Sequence, residues 1–240
     1  MKVIVTKNYE EMSREAAKIV LGVVKADPDA VLGLATGSTP IGMYREMIRD
    51  HKENGTSYRN VRTVNLDEYA GLDETSDQSY VYFMCKNLFD SLDIDRKNTN
   101  IENGKAADRE KECERYNALL HEMQQSVQVL GIGSNGHIAF NEPGTPFGSE
   151  THIVDLTEST IRDNSRLFAR IEDVPRQAFT MGLKNIMNAK KIVILANGKN
   201  KAKAVYGLVK GPVTEQLPAS VLQLHPDCTV VVDDEAASLL

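Results

Sequence analysis

A histidine and a glutamate lie in a glycine-rich stretch, 131–146, and side chains of these two types could move protons. The stretch reads Gly-Ile-Gly-Ser-Asn-Gly-His-Ile-Ala-Phe-Asn-Glu-Pro-Gly-Thr-Pro, and an apolar run, Val127–Ile132, leads into it. Imidazole groups titrate near neutral pH, so His137 could exchange protons with a ligand while Glu142 orients the ring. Because open α/β sheets bind ligands at the carboxyl ends of their strands, we expect a proton-transfer site here.

A second pair of candidate groups, Asp67 and Glu68, follows a predicted strand, Val61–Leu66. A carboxylate at the carboxyl end of a strand points into the ligand crevice, where it could act as a general base. An aspartate in this place could equally cap the next segment, and the residues alone leave both interpretations open. For Glu68 and Tyr69 we expect a structural supporting role.

Two strand-to-helix junctions are suited to binding an anion. A predicted strand, Ala30–Ala35, leads into the turn Thr36–Pro40, and another, Lys191–Ala196, leads into Asn197–Lys201. Helix N-termini present unpaired N–H groups, and hydroxyl or ammonium groups beside them strengthen the attraction for a phosphate. The alternatives are a well-capped helix in the first case and solvated lysines in the second. The first turn is not a P-loop, since no Gly-Lys-Ser/Thr follows it.

Repeated strand–turn–helix units predict an α/β fold: a mostly parallel sheet with helices on both faces, in one domain that spans 1–240. The polar segment at about 151–176 interrupts this pattern, and we expect it to be a lid over the site. Strand order cannot be predicted from the pattern. Apolar spacing predicts the later helices at Gln78–Leu92, Arg109–Gln125 and Pro218–Leu224.

The composition limits the class of protein and of partner. The formal net charge is −6 without a long Lys/Arg cluster, so we expect no nucleic acid and no membrane as partner. The three cysteines, Cys85, Cys113 and Cys228, show no paired spacing, which favours free thiols in a reducing cytoplasm. A strand-like segment, Val3–Thr6, stands where a signal peptide would have its cationic region, so none is expected.

Four features occur in order along the chain, and together they resemble glucosamine-6-phosphate deaminases over nearly its whole length. They are Thr36–Pro40, Asn65–Tyr69, Gly131–Pro143 and Gly198–Lys201. The segment Gly136–Pro143, which reads Gly-His-Ile-Ala-Phe-Asn-Glu-Pro, is the most specific of them. The resemblance implies a Rossmann-like fold with a mobile lid and the conversion of glucosamine 6-phosphate and water to fructose 6-phosphate and ammonia.

The resemblance also implies a role for each matching residue. Asp67 would be the base that moves the C2 proton to C1, and His137, helped by Glu142, would open the pyranose ring. Neither a cofactor nor a metal ion is expected, because the histidine–glutamate spacing is not that of a zinc site. The substrate phosphate would contact Gly37, Ser38, Thr39, Arg166 and Lys201.

Asn135 departs from the pattern of some family members, which carry an aspartate there. An amide can form hydrogen bonds but has no charge, so Glu142 alone would favour the charged form of His137. We expect this difference to be variation within the family, with Asn135 still part of the catalytic group.

A second departure concerns regulation. Members activated by N-acetylglucosamine 6-phosphate have two basic residues after the glycine-rich turn and a longer C-terminal tail, whereas this chain has His152 and Val154. The resemblance therefore implies no such activation, no obligate hexamer, and a monomer with a small-molecule substrate.

Two other functions compete with this interpretation. A 6-phosphogluconolactonase resembles the chain in its phosphate turn and its glycine-rich histidine turn, but Phe140–Pro143 and Asp67–Tyr69 match the deaminase pattern better. A non-catalytic sugar-phosphate sensor is the second alternative. Such sensors usually carry a DNA-binding helix-turn-helix segment, whereas this sequence starts with a sheet strand.

Overall fold

The computed structural model describes residues 1–156, 158, 161, 168 and 170–240. Within these residues the chain alternates strands with helices, as the sequence predicts. The strands are β1 Lys2–Thr6, β2 Val31–Leu34, β3 Arg62–Asn65, β4 Asp67–Tyr69, β5 Thr99–Asn100, β6 Val127–Leu130, β7 His152–Asp155, β8 Gln177–Thr180, β9 Ile192–Ala196 and β10 Cys228–Asp233. The helices are α1 Tyr9–Ala26, α2 Ile41–Asn54, α3 Tyr80–Asn87, α4 Arg109–Glu122, α5 Leu183–Met187 and α6 Ala202–Lys210.

The main sheet has seven strands in the order β1-β10-β9-β6-β2-β3-β5. Every neighbouring pair is parallel. The chain extends the sheet from β2 through β3 to β5 and then returns to β6 on the other side of β2. Strand order therefore reverses between β2 and β6, and ligands bind at such a reversal in open α/β sheets. The loops at this place are 35–40 and 131–146.

Helices cover both faces of the sheet, which confirms the predicted fold class. Side chains of α1, α2 and α3 pack with Leu32 and Val193 on one face. Side chains of α4, α5 and α6 pack with Val31 and Ile194 on the other. Neighbouring residues of one strand thus point to opposite cores, and β2 and β9 are apolar throughout because both of their faces are buried.

A second, three-stranded antiparallel sheet, in the order β4-β8-β7, was not predicted. Its first strand comes directly after Leu66, so Asp67 lies in a strand of its own and not at the tip of β3. The acidic sequence Asp-Glu-Tyr has no apolar alternation, which is why nothing in the pattern indicated a strand there.

Three helix predictions differ from the structure. α3 ends at Asn87 and α4 at Glu122, and the segment Pro218–Leu224 is a 3₁₀ helix. After α3 the backbone of Leu88 leaves the helical region, yet the next turn still buries Phe89. Apolar spacing therefore continues beyond the helix and cannot locate its end.

The predicted lid, 151–176, lies only partly within the described residues. Its first residues form β7, which pairs antiparallel with β8, while 157, 159, 160, 162–167 and 169 lie outside the description. The lid stays a prediction. In the described part of the chain, no helix combines the length and the apolar character needed to cross a membrane. All three cysteines are free, as expected.

Candidate active site

His137, Glu142 and Asn135 come together in the loop after β6. The His137 Nδ1 atom is buried and lies 3.4 Å from Glu142 Oε1, at ion-pair distance and without a well-aligned hydrogen bond. Asn135 Nδ2 donates a hydrogen bond of 2.7 Å to Glu142 Oε2. The interaction with His137, helped by Asn135, holds the pKa of the Glu142 carboxyl below its usual range, although burial acts in the other direction. Glu142 is therefore an anion positioned to stabilise a protonated imidazole.

Two glycines explain why the loop can fold in this way. A Cβ atom on Gly133 would lie 2.4 Å from the Cε1 and Nδ1 atoms of His137, so the ring occupies the space that a side chain would take. Gly136 has a φ of +88°, in the left-handed region that favours glycine, and its Cα faces the side chain of Leu217. Gly133 therefore leaves the space that the imidazole ring occupies, and Gly136 allows the turn that leads into His137.

Asp67 is buried, only 7% exposed, and its Oδ1 atom has no hydrogen-bond partner among the described residues. Burial and the neighbouring charge of Glu68 raise the pKa of Asp67 to about 8. Such a carboxyl group can both accept and return a proton near neutral pH, as a base that carries a proton between two carbons must.

The carboxyl group of Glu68 lies at the first turn of α3 and stabilises this helix. Its carboxyl oxygens accept hydrogen bonds from the N–H groups of Tyr69, Tyr80 and Val81, the last two in the first turn of α3. Burial raises the pKa of Glu68 to about 7, although these N–H groups lower it. With donors on both oxygens, Glu68 is the member of the pair that carries the negative charge, and the proton stays on Asp67.

Strand β8 connects Asp67 with the histidine loop. Thr180 is the partner of Asp67 in the β4–β8 pairing, and its Oγ1 atom accepts a hydrogen bond of 3.1 Å from Phe140 N. The next residue, Met181, donates from its N–H to Leu66 O at 2.7 Å and accepts from Asn141 Nδ2 at 2.9 Å. Thr180 and Met181 therefore fix the position of the Asp67 strand relative to the loop that contains His137.

The two predicted phosphate turns also meet. Thr39 Oγ1 donates a hydrogen bond of 3.2 Å to Asn197 Oδ1, so the turn after β2 contacts the turn after β9. Gly37 has a φ of +94°, and the Ser38 carbonyl accepts a hydrogen bond from the Tyr9 hydroxyl. The first turn of α2 contains no acidic side chain and its N-cap makes no side-chain hydrogen bond. The Gly42 N–H of this turn donates to the Tyr9 hydroxyl, and the other N–H groups of the turn are suited to an anion.

Lys201 and Arg166 are the predicted cations of this site. Lys201 is half-buried at the end of the 3₁₀ turn before α6, and burial lowers its pKa. A partly desolvated ammonium group gains more from an anionic ligand than a fully solvated one. Arg166 lies outside the described residues, so its place in the site stays a prediction.

Sequence reasoning missed Glu102 and Thr180. Glu102 is 1% exposed, and neither of its carboxyl oxygens has a hydrogen-bond partner in the described part of the chain. Burial first, and the charges of Asp67, Glu68 and Glu112 with it, raise the pKa of Glu102 well above its usual range. Glu102 lies in a polar segment, which predicts a solvent-exposed loop and not a buried carboxyl group. The role of Thr180 depends on its pairing with Asp67 across two strands, which the sequence alone does not reveal.

Comparison with known proteins assigns the chain to a family. A family model described as glucosamine-6-phosphate isomerases/6-phosphogluconolactonase matches residues 6–231. The chain belongs to this family. Within the glucosamine-6-phosphate isomerase/6-phosphogluconolactonase family, a glucosamine-6-phosphate deaminase of Thermoanaerobacter pseudethanolicus is 53% identical over 241 residues, covering all of this chain and 95% of that protein. One of Clostridium perfringens is 51% identical over 241 residues, with full coverage of both.

Two solved structures have the same fold as this chain. A monomeric glucosamine-6-phosphate deaminase superposes with a TM-score of 0.97 at 49% identity, covering all of both chains. The 6-phosphogluconolactonase of Trypanosoma brucei has a TM-score of 0.81 at 20% identity, covering all of this chain and 98% of that one. The second similarity shows the shared fold alone. The catalytic roles of Asp67, Asn135, His137 and Glu142 stay predictions.

Glu102 gives a prediction about stability and pH. An unfolded chain loses a glutamate proton near pH ~4.3, whereas the folded protein holds the Glu102 proton to higher pH. Between these two pKa values the folded state binds more protons, so its stability falls as pH rises. Replacing Glu102 by glutamine removes this titration. We expect Glu102→Gln to increase the free energy of unfolding, relative to the unsubstituted protein, more at about pH 8 than at about pH 5.

Urea unfolding at the two pH values measures this difference. Glu114→Gln, the same chemical change at an exposed position of α4, is the control and should give a smaller pH-dependent difference. An equal effect of Glu102→Gln at both pH values would show that Glu102 titrates alike in the folded and unfolded chain.

Proposed function

We propose that this chain converts glucosamine 6-phosphate and water to fructose 6-phosphate and ammonia. One observation carries the proposal: β8 contacts both the strand of Asp67 and the loop of His137 and Glu142. Asp67 is a buried aspartate of raised pKa, and His137 and Glu142 form an imidazole–carboxylate pair. An isomerisation that starts from a sugar ring needs both. The high identity to glucosamine-6-phosphate deaminases favours this substrate over a phosphogluconolactone.

His137 opens the sugar ring in this proposal. The imidazole removes the proton of the anomeric hydroxyl and delivers a proton to the ring oxygen, and Glu142 stabilises the charged imidazolium between the two transfers. Asn135 holds Glu142 in place through its hydrogen bond to Oε2. The substrate phosphate binds between the turns that contain Gly37, Ser38, Thr39 and Lys201, with Arg166 as a further cation.

Asp67 then moves one proton. It takes the proton from C2 of the open-chain sugar and returns a proton to C1, which leaves an imine at C2. Water adds to this carbon and ammonia departs, so that a ketone remains. A substrate ammonium group beside Asp67 favours the ionised carboxylate, which prepares the base as the substrate binds.

The direct experiment measures ammonia release from glucosamine 6-phosphate and, in parallel, hydrolysis of 6-phosphogluconolactone. Ammonia release without lactone hydrolysis is the expected result. Asp67→Asn should abolish C2 proton exchange while equilibrium binding of the sugar phosphate is kept, because an amide cannot accept the proton. Asp90→Asn, at an exposed position, is the control. Exchange at the wild-type rate in Asp67→Asn would exclude Asp67 as the base.

Gly133→Ala tests the placement of His137. The added methyl group would overlap the imidazole and displace it, and a misplacement of about 1 Å costs on the order of 100-fold in kcat/KM. Gly131→Ala is the matched control, because a Cβ atom there meets no other atom within 4 Å. Equal activity of the two variants would show that the ring position is not critical.

The proposal includes a monomer in the cytoplasm that is not activated by N-acetylglucosamine 6-phosphate. The similarity to a monomeric deaminase and the uncharged Val154 support the first and last parts. The free cysteines support the location, which cell fractionation would test. Plots of rate against substrate concentration should be hyperbolic without added N-acetylglucosamine 6-phosphate. A plot that becomes hyperbolic only on its addition would contradict this part.

A further inference from the structure

A cavity of about 600 Å³ adjoins Glu68 and is separate from the sugar-phosphate crevice. Its walls come from the segments 72–74 and 99–105, with Val81, Phe89 and Arg96 beside them. None of the turns after β2, β6 and β9 contributes to it. The cavity is large enough for several water molecules and is lined mainly by polar atoms, so water can enter it.

Two buried carboxyl groups, those of Glu68 and Glu102, belong to the cavity wall. Each residue is only 1% exposed. Glu68 is held by the N–H groups of α3, whereas both oxygens of Glu102 lack a partner among the described residues. A buried carboxyl group without a donor keeps its own proton, and beside a polar cavity it can exchange that proton with water.

The same two groups lie within electrostatic range of Asp67. Glu68 follows Asp67 in β4 and raises its pKa, and the charges of Asp67 and Glu68 both raise the pKa of Glu102. A sugar phosphate in the crevice would cover the little of Asp67 that is exposed. The cavity beside Glu68 and Glu102 then gives solvent a second approach to the strand that contains Asp67.

We propose that Glu68, Glu102 and the water of this cavity form a proton-exchange route between Asp67 and bulk solvent that stays open while substrate is bound. The inference rests on the proposed role of Asp67 as the C2 base. After Asp67 has taken the C2 proton, it passes this proton through Glu68 and water to the cavity and becomes a carboxylate again. Glu102 then delivers its own carboxyl proton to the Asp67 carboxylate by the reverse path and takes a replacement from cavity water. One proton replaces another, without a net change of charge.

The test follows the fate of a label. Glucosamine 6-phosphate with deuterium at C2 is converted in ordinary water, and mass spectrometry measures the fraction of deuterium retained at C1 of fructose 6-phosphate. The wild-type protein should lose part of the label to solvent. In Glu102→Gln, whose amide has the same shape but cannot relay a proton, the loss to solvent in each turnover should fall several-fold.

Two further variants separate a relay from a structural role. Glu102→Asp restores a carboxyl group, so loss of label should return toward the wild-type fraction. Glu114→Gln, on the exposed face of α4, should leave the fraction unchanged. The fraction compares two fates of one proton within one turnover, so it does not depend on how much of a variant is folded. Slower protonation of C1 in a variant would raise the loss of label, which is opposite to the decrease expected for Glu102→Gln.

Failure of the proton-exchange route and failure of the proposed function give different results in this experiment. Equal loss of label in wild type and Glu102→Gln, with ammonia release intact, would overturn the route and leave the proposed function standing. Complete retention of label at C1 by the wild-type protein would also overturn the route, because no exchange would then occur. Failure of the wild-type protein to release ammonia would overturn both proposals.

Discussion

Burial of the Asp67 carboxyl group determines how the two acids of β4 divide their roles. Asp67 and Glu68 follow each other in β4, in surroundings of low dielectric, and within the described residues only Glu68 receives hydrogen bonds from a helix N-terminus. Two adjacent acids thereby acquire different roles: Glu68 carries charge and supports α3, while Asp67 holds a proton that it can release near neutral pH.

The small antiparallel sheet positions the buried Asp67 relative to His137 and Glu142. Thr180 and Met181 contact the strand of Asp67 on one side and the loop of His137 and Glu142 on the other. A group that opens a ring and a group that moves a carbon-bound proton must act on neighbouring atoms of one substrate. Backbone hydrogen bonds from rigid strands hold such groups more precisely than flexible loops could.

Much of the fold and part of the site could be predicted from the sequence, for identifiable reasons. Apolar runs such as Val127–Leu130 predict buried parallel strands, and the glycines around His137 indicate a tight turn at a strand end. The second sheet could not be predicted, because the strand that contains Asp67 has no apolar alternation. Glu102 gave no signal either: a glutamate in a polar segment predicts exposure, and its burial results from tertiary packing alone.

A measurement of the Asp67 pKa tests the proposed role of this residue directly. Carbon-13 labelling of aspartate, with assignment through Asp67→Asn, allows the carboxyl group to be titrated by NMR in the free protein. We expect an apparent pKa of about 8 for Asp67 and a clear decrease when glucosamine 6-phosphate is bound. Titration of Asp67 near the usual aspartate value of about 3.9, whether or not the sugar phosphate is present, would contradict this role.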